Sequence, residues 1–491
     1  MTSRAVSAPS RAFTATSPSR AYARLLRSSS YFLLWAGLMT AVAGWNAEPG
    51  WILGVGSMLV SAGFVFGDIS HGRARGISPM TVYAFTSSAT GLANAVGLLS
   101  VGGTESARYF IYAADEHLLL AAQLAFAGAV LPVLSFRFVT RQPGIAALFQ
   151  LLPLVKGYLP TKRLAVGCLV LSSLSVAVRA LGLSSLGTLG GIFFLAPVLS
   201  AFVLARTGAR LNNRRILLVG LAIALVEAAR AVGFSYLRSE IVAPLAAFAL
   251  GSLLGARSFR PLKSPIFFPI YAASIAFAIY FGTLGQVRAT SGEGLARITA
   301  VQQYEGLIPQ GQQTVQEETL LSRLTSFNQL SQVGRIVSED GFLDGVTLEY
   351  LGFAFIPRFI WPEKPLIAKG AWFAWRIGQA YITPTGAYSN SVNMTVAGEL
   401  YLNFGWLGVV MGCLSFGVIL GALWSRTDFW VDEFNTLGSA LGFYLLWVGL
   451  GLAADLQIIV TLAATYMLFV AGGYALRSMG GRQGSILAQA K

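Results

Sequence analysis

Runs of roughly 20 mostly apolar residues, long enough to cross the hydrocarbon core of a bilayer as helices, recur from one end of this 491-residue chain to the other. Little besides a bundle of membrane helices can absorb so many of them. The first half reads Tyr31 to Trp45, Trp51 to Gly67, Pro79 to Gly102, Leu118 to Phe136, Leu164 to Leu181 and Leu186 to Ala205. The second reads Ile216 to Phe234, Ile241 to Gly255, Ile266 to Gly285, Val396 to Trp424, Leu437 to Ala453 and Ile458 to Leu476. Ile145 to Val155 is too short to cross and ends at Pro153, which suits a helix lying in the interface. The expected fold is thus an all-α polytopic membrane protein with about 12 transmembrane helices. A composition of 55% hydrophobic and 11% charged residues, at a mean hydropathy of +0.64, excludes a soluble multidomain protein.

Charge placement gives the orientation. The formal charge of +14 is not gathered on one basic face, so it argues against a nucleic-acid partner. With the amino terminus in the cytoplasm, basic residues cluster in alternate short loops: Arg73 and Arg75; Arg206, Arg210, Arg214 and Arg215; Arg257, Arg260 and Lys263. The positive-inside rule then places both termini in the cytoplasm. Five regions follow: a basic tail over 1–30, nine spans over 31–285, an extracytoplasmic loop over 286–395, three spans over 396–476 and a tail over 477–491. The first thirty residues, rich in Ser, Ala and Arg and free of acid, read as a disordered tail rather than a transit peptide. Cys168 and Cys413 sit inside apolar runs and read as small core residues.

The loop far exceeds the few residues that usually join helices, and a function is the natural explanation of its length. Within it, Thr314 to Val337 carries a helical stripe of Val315, Leu320, Leu321, Leu324, Phe327, Leu330 and Val333, with Arg323 and Arg335 off the stripe. Phe342 to Pro365 is too short to span and is stopped by Pro357, Pro362 and Pro365, so it reads as a re-entrant or interfacial segment. It sets Arg358 beside Phe359 and Trp361. A second aromatic cluster, Trp372, Phe373, Trp375 and Tyr381, surrounds Arg376. Such rings stack on the C–H faces of sugars, and they also make an ordinary interfacial belt; Trp361 and Trp375 are the sugar-binding candidates. Arg179 and Arg230 fall inside spans, where a charge costs about 2.5–3.5 kcal/mol at the centre and marks a candidate site. Both lie near outer ends, where snorkelling also accommodates them, and Glu227 lies one helical turn before Arg230.

The string FIPRFIWPEKP, Phe355 to Pro365, followed by GELYLNFGWLGVVMG, Gly398 to Gly412, resembles the pattern of bacterial O-antigen and exopolysaccharide repeat-unit polymerases of the Wzy type. SRLTSFNQL, Ser322 to Leu330, is similar in placement. The arginine-to-glycine spacing of the outer-loop motif in some members is absent. The resemblance implies a glycosyltransferase, with room for a GT-C-like architecture, in the bacterial inner membrane. It would transfer a growing glycan from a polyprenyl pyrophosphate onto a lipid-linked oligosaccharide repeat unit. Its partners would be membrane lipids and the flippase and chain-length regulator of the same pathway.

A pyrophosphate leaving group calls for guanidinium groups, for which Arg323, Arg335, Arg358, Arg376, Arg179 and Arg230 are the candidates. The acceptor hydroxyl calls for a general base. Glu399 and Glu349 lead, ahead of Glu363, Asp344, Glu48 and His117; with Arg358 they form the expected catalytic set. His71 falls in a cytoplasmic loop. Nothing in the sequence has the spacing of a metal site or of a Walker loop, so no cofactor is expected. A flippase for the same substrate and an O-antigen ligase are the competing readings. No repeat relates the two halves as in many transporters, and the single outer loop favours catalysis.

Overall fold

The computed structural model describes residues 20–46, 50–71, 78–99, 114–142, 161–180, 188–231, 238–255, 325–353, 369–379, 392–427 and 436–449, with scattered positions over 152–159, 356–363 and 466–474. Among them every regular element is helical. The first group comprises α1 (Arg20–Gly44), α2 (Trp51–His71), α3 (Pro79–Leu99), α4 (Leu118–Arg141), α5 (Thr161–Ala180), α6 (Thr188–Arg210), α7 (Arg214–Arg230) and α8 (Arg238–Gly255). Short helices α9 (Phe327–Asp340), α10 (Tyr350–Phe353) and α11 (Lys369–Arg376) follow, then α12 (Val396–Ser425) and α13 (Thr436–Gly449).

Helices overlie ten of the apolar runs; Ile266 to Gly285 and most of Ile458 to Leu476 and of Ile145 to Val155 lie outside the described residues. Among the described residues three helices, α2, α4 and α12, are long and apolar enough to cross a membrane. The helix α1 starts at Arg20, within the stretch read as a tail, because Ala, Arg and Leu there favour helix.

Small residues let α1, α2 and α3 approach closely: a Cβ on Gly37 would meet the Gly56 carbonyl at 2.8 Å, and one on Gly54 the Gly91 carbonyl at 2.9 Å. The helix α4 packs on α2, α3 and α12, while α6 packs on α5, α7 and α8. Contacts of α13 with both α3 and α6 tie the two sets together, with Phe443 stacked on Phe202 at 4.4 Å and Arg206 donating to Ser439.

The helix α12 is not straight. Gly405 sits at φ 60°, ψ −151°, a conformation open essentially to glycine alone. In an unbroken helix, residues 400 and 412 would be about 18 Å apart. Instead a Cβ on Gly412 would lie 2.4 Å from Leu400 Cδ1, so Val396 to Phe404 folds back on Trp406 to Ser425 as a helical hairpin. The longer arm runs parallel to α4, with Gly417 against Pro132 and Ser135 and Gly421 against Val139.

Candidate functional site

The amphipathic stripe recognised in the loop seats α9 at the start of α4 and beside the short arm of α12. Phe327 and Leu330 are buried in the main core. Just before the helix, Ser326 exchanges two hydrogen bonds with Asn94 of α3: its backbone N–H donates to Oδ1 at 3.2 Å, and its hydroxyl accepts from Nδ2 at 3.3 Å. The segment therefore enters among the helices rather than lying on their outside. The next turns of the stripe, Val333 and Ile336, form a second small core with Phe373 and Ile377 around α11 and with Met394 and Leu402. Helical periodicity thus joins loop to bundle on one side and helix to helix within the loop on the other.

Where these layers meet lies a buried polar cluster. Lys369, the first residue of α11, donates to both carboxylate oxygens of Glu399, at 2.8 and 2.7 Å, and to the Tyr350 hydroxyl at 2.8 Å. The same ammonium lies 4.4 Å from the Tyr350 ring centroid. Thr347 donates to Glu399 Oε1 at 3.4 Å, and Asn403 donates to Thr347 Oγ1 and to the Glu399 carbonyl, each at 2.7 Å. The side chains of Lys369 and Glu399 are 11% and 2% exposed. Taking both charges out of water is costly, so the pair holds only because its geometry and surrounding hydrogen bonds satisfy it.

The backbone around 341–348 is shaped to deliver Thr347. Asp344 and Gly345 take positive φ of 47° and 95°, and the Gly345 N–H donates to Asn403 Oδ1 at 3.0 Å. The Leu343 N–H donates to the Leu402 carbonyl, also at 3.0 Å. Phe342 caps the Gly405 turn, and Phe404 reaches Gly345.

A second set of charges lies on the exposed rim. Arg335 donates to Glu339 at 2.9 Å and to Gln332 at 2.7 Å, while Arg376 meets Glu339 and Asp340, both at 2.8 Å. Hydrogen bonds from Arg335, with further help from Arg376, hold the Glu339 carboxyl below its ordinary range. Asp340, again chiefly by hydrogen bonding, raises Arg376. So α11 is pinned at one end by a buried ion pair and at the other by an exposed one.

Of the sequence candidates, Glu399 is buried in the polar cluster. Glu349 is exposed one residue before Tyr350, with Asp344 and Glu363 also exposed. Arg335 and Arg376 come together on the rim, occupied by carboxylates. Trp361 and Trp375 are 39% and 45% exposed, and Phe353 meets Trp361 edge-on at 5.9 Å. Arg230 pairs with Glu227 at 2.9 Å, the partner its spacing suggested, on a helix packed in the α5–α8 set rather than against the loop helices. Arg179 is in the last turn of α5, its side chain outside the described residues, as are Arg323, Arg358 and Glu48. His117 faces Ser338 at 3.4 Å. Both cysteines are buried and free.

Lys369, Tyr350, Thr347 and Asn403 were not read from the sequence. The signal for Lys369 was a lone lysine between small and apolar neighbours in IAKGAW; the others carry no spacing that marks them.

No family model, curated protein or solved structure matches the chain. The family likeness therefore stands on the residue strings themselves. Among the described residues no cluster of His, Cys, Asp or Glu could hold a metal ion.

Proposed function

We propose that this chain is a polytopic protein of the bacterial inner membrane, with about twelve spans and both termini cytoplasmic. It polymerises polyprenyl-pyrophosphate-linked oligosaccharide repeat units on the outer face. The observation that carries this reading is the buried Lys369–Glu399 pair, which locks the aromatic, arginine-rich loop onto the GELYLNFGWLG helix that resembles the polymerases. A costly polar floor under the loop helices α9 to α11 suits a site for a charged, hydroxyl-rich substrate held at the membrane surface.

In the proposed reaction the anomeric carbon–oxygen bond to the diphosphate breaks, and the electron pair leaves with the pyrophosphate. The acceptor hydroxyl forms the new glycosidic bond and gives its proton to a carboxylate. Arg358 and Arg323 receive the leaving charge, with Arg335 and Arg376 at the rim. Glu349 suits the role of base better than Glu399: it is exposed, whereas both oxygens of Glu399 are held by one ammonium. Trp361 and Trp375 offer faces to the sugars. The flippase and chain-length regulator of the same pathway would be its partners.

The test is to reconstitute the protein in nanodiscs with its lipid-pyrophosphate-linked repeat unit and look for a glycan ladder. Wild type should give one, and Arg358→Ala and Glu349→Gln should abolish it while remaining folded. Intact wild type that makes no ladder but moves the lipid-linked sugar between leaflets would make the chain a flippase instead.

A further inference from the structure

Within the buried polar cluster, Asn403 has its donor and acceptor atoms both engaged. It sits on the short arm of α12, fully buried. Its Nδ2 donates to Thr347 Oγ1 and to the Glu399 carbonyl, each at 2.7 Å, and its Oδ1 accepts from the Gly345 N–H at 3.0 Å. Asparagine is a poor helix former, and burying its amide is costly unless the amide is bonded. The bond to Glu399 stays within the helix. The other two reach a different segment of the chain, the turn over 343–348.

That turn needs holding. Asp344 and Gly345 both take positive φ, which costs free energy at Asp344, and such backbone persists only where its surroundings over-determine it. The Leu343 N–H, bonded to the Leu402 carbonyl, is a third tie between the same two segments. The turn runs on through a single helical turn, Val346–Leu348, directly into Glu349. Thr347 and Tyr350 are buried, and Glu349 between them is exposed. The clamp thus fixes the Glu349 backbone from two residues away.

We propose that Asn403 and Thr347 are positioning residues for Glu349. The inference rests on the reading of Glu349 as the base that takes the acceptor's proton. A general base must come within about 2.6–3.2 Å of the hydroxyl it deprotonates, and a misplacement of about 1 Å costs up to about 10²-fold in rate. Apolar packing is non-directional and leaves a loop residue that much play. Three directed hydrogen bonds onto 343–347 do not.

Two measurements test it. Thr347→Val keeps the shape and removes the hydroxyl that accepts from Asn403 and donates to Glu399, whereas Thr347→Ser keeps the hydroxyl. The first measurement is the distance distribution between nitroxide labels on Glu349→Cys and Ser338→Cys, the native cysteines being buried. It should be narrow in the parent and in Thr347→Ser, and broad in Thr347→Val. The second, with Glu349 in place, is the rate of glycan synthesis from the lipid-pyrophosphate-linked repeat unit. Thr347→Val should lower kcat about tenfold at unchanged KM, and Thr347→Ser should keep most of the wild-type rate. If Thr347→Val fails to fold, Thr347→Ala removes the same hydroxyl and leaves room for a water beside Asn403. A distribution that stays narrow without the hydroxyl, or a broad one with kcat unchanged, overturns the proposal. Wild type that makes no ladder overturns the polymerase reading instead, and the distances then still decide whether Thr347 and Asn403 hold the turn.

Discussion

The Lys369–Glu399 pair makes an unequal demand on its two halves. Substituting one partner strands a buried charge, which costs about 3–5 kcal/mol, whereas replacing both with apolar residues of similar size is often neutral. Glu399→Gln and Lys369→Met should therefore each lower the unfolding temperature in detergent sharply, and Lys369→Met with Glu399→Leu should recover most of the loss. Glycan synthesis separates the roles. If the pair only docks α11, the double variant regains activity with stability; if the carboxylate touches the reacting atoms, stability returns and activity does not. The sequence singled out Glu399 by its position in a family-like string, and the structure buries it in the polar cluster. Its partner was not, because nothing in the sequence says that a lysine thirty residues upstream folds back to meet it.

The loop was legible as helices where an apolar stripe announced them, and opaque where backbone conformation decides. Of the stripe read over Thr314 to Val337, Phe327, Leu330 and Val333 lie in α9 and are buried there, while Val315, Leu320, Leu321 and Leu324 lie outside the described residues. The hairpin in α12 was hidden, since 396–424 reads as one uninterrupted apolar run and the turn depends on a single glycine. Gly405→Ala meets both a positive φ and the Phe342 ring, 3.0 Å from the new Cβ. It should destabilise the protein and open the loop to protease. Gly167→Ala in α5, with nothing within 4 Å, should be neutral or stabilising by up to about 1 kcal/mol, as glycine-to-alanine changes inside helices are. The docking of α11 on α9 carries a pH dependence of defined sign. Glu339 has a folded-state pKa below its ordinary value of 4.5, so its contribution is complete above that value and is lost as pH falls through the lowered one. The gap in unfolding temperature between wild type and Glu339→Gln should hold from pH 7 to about 5 and close under more acid conditions.

Across the whole molecule, helix directions fix what shares an end. The helix α1 runs antiparallel to α4, with Gln123 donating to the Trp45 carbonyl near one end and Arg137 over Tyr31 near the other. The long arm of α12 runs parallel to α4, so its hairpin, α9 and α11 gather at the end away from Arg27. Hydropathy pointed to the helices and charge to an expected orientation, but only packing shows that the loop helices meet the bundle at that end. Cysteine labelling in intact cells joins the two arguments, with little background because Cys168 and Cys413 are buried. A cysteine replacing exposed Glu349 should react with a membrane-impermeant maleimide added outside, and one replacing exposed Arg27 only after lysis. Labelling of both from one side would break the antiparallel relation of α1 and α4. The reverse pattern would leave the fold standing but turn the loop to the cytoplasm, and a polymerase working on lipid-linked units at the outer face could not be built that way round.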